Sequence, residues 1–340
     1  MNGTSSDDEI AALLALDALL PNEQADAELR IGTLAPDLAD VAALLAETTV
    51  TDPPPELRSA TLARAMSRRP PGRPVDAAQP CDPAVAFDRT VEDLNNLLGT
   101  LTDAEWNAPA HAEHGRVRDL LAHLVGVERL VLRWLDPQDT VPDLPDHVAA
   151  TRSVIAELAD TDPRRIAHEW HELARSVAAA TATDRGRSVV FHDSTVGIDE
   201  LLVTRTGELW AHAIDICQAT GRPLPQLDLE RMATLCTALM AAVPLAMTHR
   251  GTPAPGRAAR FVLTGPAGGA YTVPLAVQAP QAQAPQAQAA TPDVTIVTDA
   301  TGLCRVAVRR LRPDQLEAAI DGDRELGDLV LAGIGALARD

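Results

Sequence analysis

Apolar residues recur at helical spacing through most of the 340-residue chain. In the first stretch, Ile10, Leu13, Leu14 and Leu20 share a face behind Ser5, Ser6, Asp7 and Asp8, which suit a helix N-terminus. Three further short amphipathic helices are predicted over 22–31, 37–47 and from Leu57 past Met66, so residues 1–67 read as a small helical domain. Residues 68–82 are rich in Pro and lack periodicity, as a semi-extended linker does. Residues 83–223 carry long apolar stripes over about 83–98, 116–135, 146–158, 163–180 and 197–220. Such helices pack as an antiparallel four-helix bundle. Gly221 followed by Pro223 ends the last of them.

Within residues 224–340 the period changes. A helix over about 228–247 precedes Ala259–Thr264 and Tyr271–Leu275, two β-type runs about a Gly-rich turn. An Ala/Pro/Gln repeat over 278–291 reads as a low-complexity insertion. Val294–Thr298 alternates like a strand, and Asp314–Ile320 and Glu325–Ala338 are expected to be helical. The fold class is thus mainly α, with an N-terminal helical domain, a four-helix bundle and a C-terminal α+β domain.

Charge narrows the partners. The formal net charge is −19, which disfavours direct contact with nucleic acid or anionic membranes, because phosphates are repelled. Aromatics are 2% of residues, too few for a stacking platform on single-stranded nucleic acid. Cys81, Cys217, Cys236 and Cys304 are scattered, with no CxxC pair, which fits reduced thiols of the cytoplasm. The first residues show neither a basic n-region nor an apolar h-region, and no membrane-spanning helix is expected.

The helix expected over 197–220 holds the chemistry. Glu208, His212 and Asp215 stand at i, i+4 and i+7, so they form one polar line on an otherwise apolar rod. His123 lies among Leu120, Leu121, Leu124 and Val127 on the helix expected over 116–135. A buried carboxylate is costly without a cation. One divalent metal ion held by His123, Glu208 and His212 supplies it, and two imidazoles with a carboxylate are a catalytic zinc set with an open position. Asp215 is placed to orient His212 or a substrate. His111 and His114 read as loop residues, and His168, His171 and Glu172 as a solvated face.

Val117-Arg-Asp-Leu-Leu-Ala-His123-Leu and Glu208-Leu-Trp-Ala-His212-Ala-Ile-Asp215 resemble the mycothiol-dependent maleylpyruvate isomerase family, within the DinB-like metalloenzymes. The resemblance implies zinc on His123, Glu208 and His212, and a C-terminal domain similar to sterol-carrier proteins. It also implies a metalloenzyme in which a low-molecular-weight thiol, mycothiol, adds to a cis double bond of a small acidic substrate and is eliminated after rotation. Arg309 and Arg310, near the end of a predicted strand, are candidates to hold the substrate carboxylate. The segment from Ala12 to Gln24, with Pro53–Arg58, resembles the zinc-free branch of anti-sigma factor N-terminal domains. That second resemblance implies a sigma factor as partner of residues 1–67, and leaves open a regulatory protein with a metal-binding sensor domain.

Overall fold

The computed structural model describes residues 79–136, 147–191, 194–265, 267–277 and 292–338. They lie in the compact unit Leu62–Asp340. The helical domain expected over 1–67, residues 68–78 of the linker expected over 68–82, and the insertion expected over 278–291 fall outside them. Eight α-helices are present among the described residues, and the class is mainly α with an α+β C-terminal part.

Four long helices form a bundle: α1 (Pro83–Gly99), α2 (Val117–Leu135), α4 (Pro163–Thr183) and α5 (Ile198–Thr220). The shorter α3 (His147–Glu157) packs on α2. Helix α1 packs on α4 and α5, and α2 on α4. Local sequence sets the ends. Asp82 and Asp162 accept hydrogen bonds from Ala84 N and Arg164 N, each with Pro at the first helical turn. Gly221 closes α5 at φ 66°, a left-handed conformation that an L side chain would strain. A hairpin of β1 (Pro109–His111) and β2 (Gly115–Arg116) leads into α2, and β1 lies against both α2 and α5. A second hairpin, β3 (Ser188–Phe191) and β4 (Ser194–Gly197), leads into α5.

Helix α6 (Leu229–His249) begins the second layer. It packs on a four-stranded sheet of order β6-β5-β7-β8, made by β5 (Ala254–Thr264), β6 (Gly269–Leu275), β7 (Val294–Asp299) and β8 (Ala318–Gly322). β5 pairs antiparallel with β6 and parallel with β7, and β8 pairs antiparallel with β7. Helices α7 (Ala300–Ala307) and α8 (Arg324–Ile334) pack on α6 and β7. By length and composition α6 would pass as a membrane span, against the expectation of no such segment. Here its apolar residues, Met232, Cys236, Met240 and Val243 among them, fill the core above the sheet.

Two expectations fail in this layer. Residues 314–320 are not a helix but a 3-10 turn at Pro313–Gln315 followed by β8. The free edge of β7 pairs with Ala318–Gly322, and that pairing overrides the helical propensity of Ala-Ala-Ile. Arg309 and Arg310 do not end a strand; they follow α7 in a turn where Arg309 has φ 57°.

Helix α5 joins the layers. Ile198, Leu201, Leu202, Leu209 and Ile216 belong to the bundle core, while Trp210 and Ile214 belong to the core above the sheet. A helix buried on both sides has few positions where a polar residue is cheap, so its polar line stands out energetically.

Candidate metal centre

The polar line of α5 faces α2 inside the bundle. His123 and His212 are both fully buried. Gly126 allows the close approach of α3: a Cβ there would lie 2.8 Å from Thr151 Cγ2. That approach brings Thr151 Oγ1 to 2.7 Å from His123 Nδ1. His212 Nδ1 lies 3.1 Å from Asp215 Oδ2. In both rings Nδ1–H is assigned as the donor, because a carboxylate can only accept and a hydroxyl can. The lone pair of each ring then resides on Nε2. The Nε2 atom of His212 has no hydrogen-bond partner among the described residues.

Glu208 stands 14% exposed at the edge of the same space, with Oε1 3.9 Å from His123 Nε2. Its other oxygen, Oε2, accepts from Arg205 NH1. Arg205 is fully buried, and its NH2 donates to Glu128 Oε1 at 2.6 Å. Burial alone would raise the Glu128 carboxyl; Arg205 opposes this without cancelling it, so the group stays above the ordinary carboxylate value. Burial would likewise strip the proton from Arg205, but the two carboxylates outweigh it and hold the guanidinium charged. Glu128, Arg205 and Glu208 form a buried chain of carboxylate, guanidinium and carboxylate, ending at the imidazoles.

Asp215 is gripped from the C-terminal layer. Arg310 donates through Nε to Oδ1 and through NH2 to Oδ2, both at 2.6 Å. Burial would raise the Asp215 carboxyl, and the hydrogen bonds from His212 and Arg310 more than offset it, leaving it below its ordinary value. Of the two guanidiniums expected to meet a substrate carboxylate, Arg310 is thus committed to Asp215 and only 7% exposed, whereas Arg309 is exposed.

His114, expected to be a loop residue, enters from the β1–β2 turn. It is buried, and one ring nitrogen from each of His114, His123 and His212 lies within 4.8 Å of the other two. The signal was present in His111-Ala-Glu-His114-Gly, two histidines just ahead of the helix that carries His123. No period marks an eight-residue hairpin, so its fold-back over α2 and α5 was not legible. Of the histidines expected on a solvated face, His168 is exposed, whereas His171 is half-buried with Nε2 3.1 Å from Glu92 Oε1.

The donors fit a divalent ion of the zinc type. Ligand atoms on a tetrahedral zinc stand about 3.3–3.5 Å apart, given bonds of about 2.0–2.2 Å. The 3.9 Å between His123 Nε2 and Glu208 Oε1 is within about half an ångström of that. A carboxylate behind a ligating histidine, as Asp215 stands behind His212, is the usual means of fixing such a ring.

The chain is 25% identical over 155 residues to an uncharacterized protein of Mycobacterium tuberculosis, found in two strains, covering 45% of this chain and 76% of that protein. A solved structure of the mycothiol-dependent maleylpyruvate isomerase matches at 18% identity and a TM-score of 0.47, covering 70% of this chain and 91% of that one. A mutant of the same enzyme matches at 16% identity, with the same TM-score and coverage. Residues 87–217, within the bundle, match the family described as the mycothiol maleylpyruvate isomerase N-terminal domain, and this stretch of the chain is similar to that domain.

Proposed function

We propose that the protein is a metal- and thiol-dependent isomerase or transferase acting on a small acidic substrate, with a low-molecular-weight thiol such as mycothiol as cosubstrate. The observation that carries the reading is the convergence of imidazoles inside the bundle: one ring nitrogen from each of His114, His123 and His212 lies within 4.8 Å of the other two, and Glu208 Oε1 stands 3.9 Å from His123 Nε2. A bound zinc ion would supply Lewis acidity that keeps a thiol as its nucleophilic thiolate near neutral pH.

The chain's own groups do the rest. Thr151 and Asp215 hold the two rings in the tautomer that offers Nε2. Arg205 fixes the orientation of Glu208 and offsets its charge. Arg310 prevents Asp215 from turning away from His212. The apolar walls of α2 and α5 exclude water, so a thiolate there is not stabilised by solvent. Arg309, exposed beside Arg310, is the guanidinium this reading gives to a substrate carboxylate.

The test is a spectrophotometric assay of cis-to-trans isomerisation of an unsaturated dicarboxylate, with and without thiol, on zinc-loaded protein. The reading expects turnover only when thiol and metal are both present. Turnover that ignores the thiol, or none with any cis-unsaturated acid, would refute it.

A further inference from the structure

The turn of the β1–β2 hairpin carries a third imidazole into the space where a cosubstrate thiol would have to bind. We infer that His114 is an exchangeable ligand: it occupies the open coordination position in the resting protein and withdraws onto the ring of His123 when a thiol takes that position. This rests on the metal reading above.

The ring geometry separates the two positions of His114. Two imidazoles on one tetrahedral ion point at it from about 109° apart, which puts their centroids about 5 Å apart. The pair His123 and His212 already meets this, at 5.6 Å and 76° between ring planes. His114 and His212 meet it as well, at 5.9 Å and 76°. His114 and His123 do not: they are stacked, with centroids 3.8 Å apart and planes at 22°. Although a ring nitrogen of His114 is within 4.8 Å of the other two, the ring cannot share an ion with His123 until it slides by more than an ångström. The stacked position leaves the coordination site open, and the slid position closes it. Ligation by His114 costs the stack, so this bond is the weakest of the set and the first to yield.

The hairpin permits that slide. Its strands have three and two residues, and the register breaks between Pro109 and His111. A ladder this short contributes little stability of its own. Its ends are fixed: Val117 N donates to Ala108 O at 3.0 Å, and Arg116 Nε donates to Asp119 Oδ2 at 2.8 Å. Between them Gly115 takes φ +90°, a conformation that an L side chain would strain. His111 rides on the same turn, 4.6 Å from the ring of His114, with Nδ1 accepting from Glu113 N.

Cobalt(II)-loaded full-length protein reads this out, with N-acetylcysteine as the thiol probe. In the wild type a closed fraction of about nine in ten would weaken apparent thiol affinity about tenfold. His114→Ala should bind cobalt, shift its visible absorption toward a water-bound ion, and bind the thiol about tenfold more tightly, seen as the sulfur-to-cobalt charge-transfer band. His114→Phe keeps a ring on His123 without a donor and should behave like His114→Ala, which guards against loss of fold. Unchanged cobalt spectra and thiol affinity in both variants would overturn the inference while leaving the metal reading intact. A wild-type chain that binds no cobalt would overturn both.

Discussion

The two cores of the described structure are built by different rules. The core above the sheet is apolar: Phe261, Ile296, Leu303 and Val330 are fully buried, and the ion pairs of Arg257 with Asp293 and Asp323 stay at its rim. The bundle core instead contains His123, Glu128 and Arg205, all fully buried, and meets His212 and Asp215 along α5. Burying an ion costs several kcal/mol even after relaxation, and a pair rarely recovers more than that. Leucines would fill the same volume more cheaply. The C-terminal layer shows what this chain does when only stability is at stake, and the bundle departs from it where α2 and the polar line of α5 face each other. That concentration of costly groups marks the line as a chemical site.

The comparison breaks most severely at Arg205. Replacing Arg205 with Met leaves Glu128 and Glu208 without their shared cation and should cost about 3–5 kcal/mol in denaturant unfolding. A loss under about 1 kcal/mol would mean that the buried chain is not held by its charge. Asp215→Asn should leave the fold intact but weaken zinc affinity about 10–100-fold in a competition titration, since it loosens His212. An unchanged affinity would reduce Asp215 to an inter-layer tie. Ile296→Val, in the apolar core, should cost about 0.5–1.5 kcal/mol and leave bound zinc unchanged. Metal loss there would show that the two layers are not energetically separate.

The smallest effect is expected at the surface. Arg222 donates to both oxygens of Glu105, at 2.9 and 3.0 Å, and with the Thr102 hydrogen bonds lowers its carboxyl from 4.5 to about 2. A lowered folded-state value contributes stability that is complete above pH 4.5 and is lost as pH falls towards about 2. Glu105→Gln should therefore lower the melting temperature slightly at neutral pH, and the gap should close in acid. A gap that widens in acid would reverse the sign of this linkage.

How much could be read from the chain alone follows the same division. Helical period fixed Glu208, His212 and Asp215 on one face, and an isolated His between leucines fixed His123, because both signals are local. The partners that set their chemistry are not local. Thr151 reaches His123 only because Gly126 admits α3, and Arg310 reaches Asp215 only through the turn after α7. His114 depends on a hairpin too short to leave a pattern. Strand β8 was misread as helix because its pairing partner lies on β7, outside its own window of sequence.

The central claim is that the line of polar residues in the bundle is a metal centre, and metal analysis of the purified full-length chain tests it most directly. After zinc loading and exhaustive desalting, the account predicts about one zinc ion per wild-type chain, falling to background in His123→Ala/His212→Ala with helicity retained. Equal zinc in the wild type and the folded double variant would contradict it.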